Sequence, residues 1–285
     1  VPANRSRTDR WREVLQQIAE KGGGIEFSVA HSIAEEANAT PDLVWRVRVL
    51  QLSDTEIVVE QPAAAGQAVN MIDGTTLTSV MTLGQNRWMF NTKILGKTTI
   101  AGFRPTTALR LAMPTTVERC TRREFLRVST AGLTLPTVEC WPLLTPSSVV
   151  LAEAANEAMI NELERSGGKQ PLGFTGESTL PEVGPKFMAR LMNVGGGGVG
   201  LIVDPSEASA ADRAKLIWMR INLTPHIPAP LGLTAKIVHT HIDSTQSLYA
   251  GVAFEFAFNQ QHRKFVLDQI TRYVNMVQGT SRAAA

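Results

Sequence analysis

Two short stretches of this sequence carry side chains whose types and spacing suit chemistry on a ligand. Residues 121–128 read Thr-Arg-Arg-Glu-Phe-Leu-Arg-Val, which sets Arg122, Arg123 and Arg127 on one basic arm leading into an apolar, strand-like run. A planar guanidinium can grip a phosphate, meet the O6/N7 edge of a guanine through two hydrogen bonds, or stack on a base. A compact ligand carrying both phosphates and guanines would use all three abilities; a solvated basic turn would use none. Residues 193–200 read Asn-Val-Gly-Gly-Gly-Gly-Val-Gly between two short apolar runs. Glycines let the backbone approach a ligand closely and offer amide donors, and the Asn193 side chain can both accept from and donate to a guanine edge. The same glycines also suit a tight strand-to-strand connection where only glycine fits.

Other chemistry is less well served. Gly195, Gly197 and Gly200 satisfy GxGxxG, but a dinucleotide fold needs a helix to start at those glycines, and Leu201-Ile202-Val203-Asp204-Pro205 is a short β-branched run closed by a turn. His239 and His241 share one face of a predicted strand with Asp243 two residues on, yet groups strung along one strand diverge too far to meet on one ion, so a polar strand face is expected. With five scattered histidines and no Ser-His-Asp or Cys-His pattern, no enzyme is expected.

Composition narrows the class further. The 285 residues suffice for two domains, and 44% hydrophobic with 19% charged residues is ordinary for a globular chain. A net charge of +2 argues against coating DNA or RNA, so any anion site is local. Such a patch exists on paper: Arg104, Arg110, Arg119, Arg122, Arg123 and Arg127 face only Glu118 and Glu124 across residues 102–128. Cys120 and Cys140 are too few for a secreted disulfide framework, and no apolar run approaches the roughly 20 residues that span a bilayer. Without a signal-peptide core in its first residues, a cytoplasmic location is expected.

The elements that must position these residues follow in order. Residues 1–24 read as a basic tail and a helix capped by Thr8, with Trp11, Val14, Leu15 and Ile18 on one face and Gly22-Gly23-Gly24 as its stop. Residues 25–113 alternate as closely spaced strands, the pattern of a small antiparallel barrel. Pro114 opens a linker over 114–127 that ends in the arginines, a place where gripping a ligand would reorient its neighbours. The second domain, 128–279, resumes with strands at 187–192, 199–203, 215–222, 233–242 and 248–258, then a helix capped by Asn259 and stopped by Gly279. Between them, 144–185 is an insertion: a helix from Val149 to Arg165 capped by Ser147 or Ser148, with Ala152, Met159, Ile160 and Leu163 as its apolar side, then a Gly/Pro/Ser/Thr-rich loop. It is offered as a partner-binding or dimerising element.

Arg123 and Arg127, flanked by Arg122, together with Asn193 and Gly198, resemble the paired signature RxxxR and [D/N]xSxxG of the PilZ domain, a receptor for the bacterial messenger cyclic di-GMP. Gly195 stands where that family has serine, a lost hydroxyl expected to weaken binding about tenfold. The resemblance covers residues 122–278 by motif and 25–113 by architecture alone, and is similar in layout to the flagellar-brake proteins. It implies a mainly β fold: an N-terminal split-barrel-like domain, a six-stranded C-terminal barrel closed by a terminal helix, and peripheral helices. It also implies cyclic di-GMP as ligand, with no cofactor and no metal. Arg123 and Arg127 would hold guanine and phosphate, Arg122 would stack or admit a second ligand, and Asn193 with Gly195, Gly196, Gly197 and Gly198 would form the floor. The implied output acts on a protein partner, in flagellar-motor or exopolysaccharide control. The other reading is an adaptor with degenerate barrels that binds a protein without nucleotide.

Overall fold

Alternation decides the architecture: on a pleated backbone successive side chains point to opposite faces, so a strand with one buried face reads inside-out-inside. The segment Trp45–Leu52 buries Trp45, Val47 and Val49 while Arg46 and Arg48 stay exposed. The computed structural model describes residues 10–30, 41–83, 86–102, 105–120, 134–167, 179–242 and 247–283. These fall into two compact units, one comprising Val1–Ala63, Ala68–Thr134 and Asn275–Ala285, the other Ala64–Gln67 and Leu135–Val274.

The first unit opens with α1 (Trp11–Glu20), which buries Trp11, Leu15 and Ile18 and stops at Gly22 in the left-handed region (φ +64°). The expected cap, Thr8, lies outside the described residues, and Arg10 holds the N-cap position without a side-chain bond. Strands β1 (Gly24–Val29), β2 (Trp45–Leu52) and β3 (Glu56–Glu60) follow. Then come the two-residue β4 (Ala63–Ala64) and β5 (Gln67–Ala68), and β6 (Thr76–Leu83), β7 (Asn86–Ile100), β8 (Thr106–Ala112) and β9 (Glu118–Cys120). Antiparallel pairing runs β1–β2–β3–β8–β7–β6 and back to β1, a closed ring. The 15-residue β7 makes closure possible because its first half pairs with β6 and its second with β8, with a register shift between Ile94 and Gly96. Gly96 sits there at φ +143°, a conformation that side chains resist. Trp45, Trp88, Phe27, Ile57, Leu77 and Met81 fill the interior with almost no exposure. Each large apolar side chain so buried stabilises the fold by about 1.5–3 kcal/mol relative to exposure.

Two expectations for this half need correction. The end of the supposed linker is strand: Glu118, Arg119 and Cys120 pair with Met89, Trp88 and Arg87 of β7. Arg110 is not a free member of a basic patch, because its Nε donates to Glu56 Oε2 at 2.8 Å across the β3–β8 pair. That hydrogen bond holds the Glu56 carboxyl below its ordinary range.

The second unit contains β10 (Thr137–Pro142), α2 (Val149–Arg165), β11 (Phe187–Gly195), β12 (Gly198–Val203), α3 (Ala208–Arg213), β13 (Leu216–Ile221), β14 (Leu231–Ile242), β15 (Leu248–Phe254) and, as far as Val274, α4 (His262–Ala283). Its six strands close in the order β11–β10–β13–β14–β15–β12, with β12 returning to β11. Val138, Cys140, Ala189, Leu191, Leu201, Met219, Ile221, Leu233 and Val252 are all buried. Burial also pushes the Cys140 thiol up, away from ionisation. A mainly β chain with a closed six-strand barrel and a C-terminal helix is the architecture the alternation and the resemblance predict. The last strand is shorter than expected, ending at Phe254, and α4 continues past Gly279 to Ala283. Gly279 takes no left-handed φ there, so it lowers helix propensity by about 1 kcal/mol without stopping the helix.

The insertion helix is part of the barrel's flank. Val149 and Ala152 of α2 form one buried cluster with Trp141 and Trp218, which point outward from β10 and β13. Beside them α2 buries two polar residues, where a purely apolar side was predicted, and Met159 is only half-buried. Asn156 donates from Nδ2 to the Pro230 carbonyl at 2.9 Å and accepts at Oδ1 from the Gly232 amide at 2.8 Å. The Thr234 hydroxyl donates to Glu153 Oε1 at 2.9 Å. Ser148 occupies the N-cap position but its hydroxyl does not cap; it accepts from the Glu182 amide at 2.9 Å and so holds the returning end of the insertion.

Candidate functional site

The glycine run is a β-hairpin. Gly195 pairs with Gly198, so Gly196 and Gly197 form a two-residue turn, and strand follows the run where a dinucleotide fold would need a helix. The register slips between Leu191 and Asn193, a bulge that puts Asn193 beside Gly200 on the outer face of the barrel. Asn193 is nonetheless 7% exposed.

The glycines of this face fall into two populations by what a Cβ would meet. At Gly198 it would run into the Val252 carbonyl and reach within 2.8 Å of the Ala253 Cα, so β12 and β15 pack there only without a side chain. At Gly200 it would strike the Tyr249 hydroxyl and come within 2.7 Å of Asn193 Oδ1. At Gly195 nothing lies nearer than the Gly198 carbonyl oxygen at 3.9 Å, and at Gly197 nothing lies within 4 Å; neither takes a left-handed φ. The expectation that only glycine fits the connection therefore holds at Gly198 and Gly200 and fails at Gly195 and Gly197. The Gly196 carbonyl is already engaged, accepting from the Gly66 amide at 2.5 Å within the same unit.

Register extends this face across two more strands. Gly195 and Gly198 continue to Ala253 and Lys236; Asn193 and Gly200 continue to Gly251 and His239; Arg190 and Ile202 continue to Tyr249 and His241. Paired residues share a side, so these three rows form one outer surface. Lys236, His239 and His241 are exposed. Arg190 lies 3.6 Å from the Asp204 carboxylate. The flank covered by α2 stops at Gly232 and Thr234, short of this surface on the same strand.

His239 and His241 form an exposed polar strand face, as expected. Their rings lie within 6° of parallel with centroids 6.3 Å apart, and Tyr249 tilts against both, 6.1 Å from His239 and 4.8 Å from His241. Tyr249 went unremarked in the sequence, and Gly251 was not read as part of a site. A signal for them exists: a hairpin centred on residue 245 pairs 241 with 249 and 239 with 251, which is the observed register. Asp243 lies outside the described residues, and among those described no group of three or more His, Cys, Asp or Glu gathers as a metal site would.

Arg122, Arg123 and Arg127 also lie outside the described residues, as does Arg104. Of the two stretches singled out from the sequence, the structure therefore describes Asn193, Gly195, Gly196, Gly197 and Gly198, which it brings together at one hairpin.

No protein-family model matches the chain, and no curated protein matches it. Among solved structures, the chain is similar to the Bacillus subtilis inhibitor of motility MotI/DgrA, at 11% identity over 89% of this chain and 97% of that one, with a TM-score of 0.30. It is similar to K. pneumonia MrkH in its c-di-GMP complex, at 11% identity over 91% and 92% of the two chains, TM-score 0.30. It is similar also to Escherichia coli YcgR in complex with c-di-GMP, at 10% identity over 93% and 89%, TM-score 0.26. Overlaps this distant bear no functional weight.

Proposed function

We propose that this chain is a cyclic di-GMP receptor of the PilZ type, which takes its ligand on the outer face of the second unit's barrel and passes the signal to a protein partner. One observation carries the proposal: Asn193 and Gly198, which match the second half of the signature, lie at one hairpin, and at two other glycines of that hairpin, Gly195 and Gly197, a Cβ would have free space. A floor without side chains next to an amide that can pair with a guanine edge suits a flat, anionic purine ligand. Arg123 and Arg127 supply guanidinium forks for guanine and phosphate, and Arg122 stacks or helps admit a second ligand. Ordering that arm around the ligand changes how the parts of the chain are arranged, which exposes or hides the partner surface in motility or exopolysaccharide control. No bond in the ligand is broken, so the chain acts as a receptor.

Isothermal titration of the intact chain with cyclic di-GMP tests this. Saturable heat is expected for the wild type, Arg123→Ala should remove most of it, and Arg122→Ala should chiefly alter the stoichiometry. Absence of heat at high micromolar ligand would overturn the receptor and favour an adaptor that binds protein without nucleotide. Undiminished affinity in Arg123→Ala would refute the role given to the arginine arm.

A further inference from the structure

Beside the glycine hairpin, on strands that contribute nothing to the two-part signature, the barrel carries Tyr249, His239 and His241 as an outward-facing cluster of rings. We propose that this cluster, Tyr249 above all, is a stacking platform for one purine base of the bound nucleotide. The inference rests on the receptor reading and deepens it.

Three features support it. The first is continuity: Gly200, Gly251 and His239 follow Asn193 along one cross-strand row, and Ile202, Tyr249 and His241 form the adjacent row. Tyr249 stands two strands from Asn193 and the histidines three, at about 4.8 Å per strand, and the Tyr249 hydroxyl and Asn193 Oδ1 both reach over Gly200, so a base whose edge meets Asn193 has its face towards the Tyr249 ring. The second is that the backbone beneath has been cleared. A Cβ on Gly251 would penetrate the His239 ring, within 2.6 Å of Nδ1, and a Cβ on Gly200 would strike the Tyr249 hydroxyl. Side chains at these two positions would lift both rings off the sheet; glycine lets them lie down on it. The third is chemistry. Rings that served only to fill an interior would be apolar and buried, whereas both imidazoles are exposed and the phenol is half-buried. Such rings offer a π face to a base and polar edges to water. Lys236, exposed one row beyond on the same strand, adds a cation where the ligand's phosphates would pass.

The platform predicts a ring-specific loss. In titrations of the intact chain with cyclic di-GMP, Tyr249→Ala should weaken binding about fivefold to 150-fold, the equivalent of the roughly 1–3 kcal/mol that one base–aromatic stack contributes. Tyr249→Phe, which keeps the ring, should stay within about threefold of wild type, and His241→Ala, at an exposed position, should lose less than Tyr249→Ala. A readout insensitive to mere destabilisation is the guanine H8 resonance, which ring currents should move upfield on binding to wild type and Tyr249→Phe and not on any residual binding to Tyr249→Ala. Thermal melts of each variant identify any that fail to fold, and His241→Ala serves if Tyr249→Ala is one of them. Wild-type binding with unchanged affinity and an unchanged H8 shift in the folded ring variants would overturn the platform and leave the receptor standing. Equal losses in Tyr249→Phe and Tyr249→Ala would assign the effect to the hydroxyl and overturn it too. A wild type that gives no heat removes the receptor and the platform together.

Discussion

Replacing Gly195 with serine should strengthen ligand binding and stabilise the fold at once, a combination that few substitutions in a binding site offer. The added Cβ meets nothing closer than the Gly198 carbonyl oxygen at 3.9 Å, an ordinary van der Waals distance, and the backbone at 195 is not left-handed. Glycine within a strand is destabilising by roughly 0.5–1 kcal/mol relative to a residue with a Cβ, so Gly195→Ser should gain a few tenths of a kcal/mol or more against denaturant. The new hydroxyl restores a donor where the signature has serine, and a hydrogen bond nets about 0.5–1.5 kcal/mol. At about 1.4 kcal/mol per factor of ten, that is a two- to twelvefold lower Kd for cyclic di-GMP. Calorimetric titration measures the affinity, and urea melts of the free protein measure the stability independently. Gly197→Ser is the control: it too has room, but it stands at no serine position, so it should gain no affinity. A folded Gly195→Ser with unchanged affinity would refute the assignment of this hairpin as the floor. A loss of more than about 1 kcal/mol of stability would refute the steric account, whatever the ligand does.

Gly198→Ala should do the opposite. Its Cβ would have to displace the Val252 carbonyl, which is backbone and cannot swing aside, so a stability loss of about 1–3 kcal/mol or more is expected, seen as a lower Tm without ligand. Glu153→Gln should flatten one component of the pH dependence. Burial against β14 raises the Glu153 carboxyl above its ordinary range, with His262 and the hydrogen bond from Thr234 pulling it partly back. Its contribution is then fully present at low pH, where folded and unfolded chains both hold the proton, and is lost as rising pH ionises the unfolded chain first and then reaches the raised folded value. The stability of Glu153→Gln relative to wild type, from urea midpoints at about pH 5 and about pH 8, should therefore rise with pH; a constant difference would refute the burial account.

Much of the fold was legible because its signal is periodic. The buried-exposed alternation at Trp45, Arg46, Val47 and Arg48 is visible in the letters, and so is the apolar run that becomes β12. Short or nonlocal features were not. A three-residue strand such as Glu118–Cys120 has no room to alternate, and after Pro114 it read as linker; only its partner, β7, makes it a strand. Nothing local marks Glu153 and Asn156 as buried, because their burial depends on Pro230, Gly232 and Thr234, 74–81 residues away. At the site, the signature named Asn193 and the hairpin glycines from local spacing, whereas Tyr249 and His239 join them through β12–β15 and β14–β15 pairing, which a motif cannot encode. The arginine arm was legible as chemistry and lies outside the described residues.

The glycine rows also bear on why this face, and not another stretch of barrel wall, is the place to look for a ligand. Where the fold has to cover an outer wall it does so with bulk: Trp141 and Trp218 point out of β10 and β13 and are sealed by Val149 and Ala152 of α2. Past Thr234 on β14 the helix no longer covers the sheet, and the exterior carries Gly198, Gly200, Gly251 and Ala253 beside Lys236 and the rings of Tyr249, His239 and His241. Gly198, Gly200 and Gly251 need no ligand to explain them, since packing excludes a side chain at each. Gly195 and Gly197 are different, because a Cβ there has free space, and at Gly195, within β11, glycine weakens the fold by about 0.5–1 kcal/mol. Packing inside the barrel therefore gives no reason to keep them bare. A molecule that must approach the backbone supplies one, and it would lie between Asn193 on one side and the rings of Tyr249 and His239 on the other.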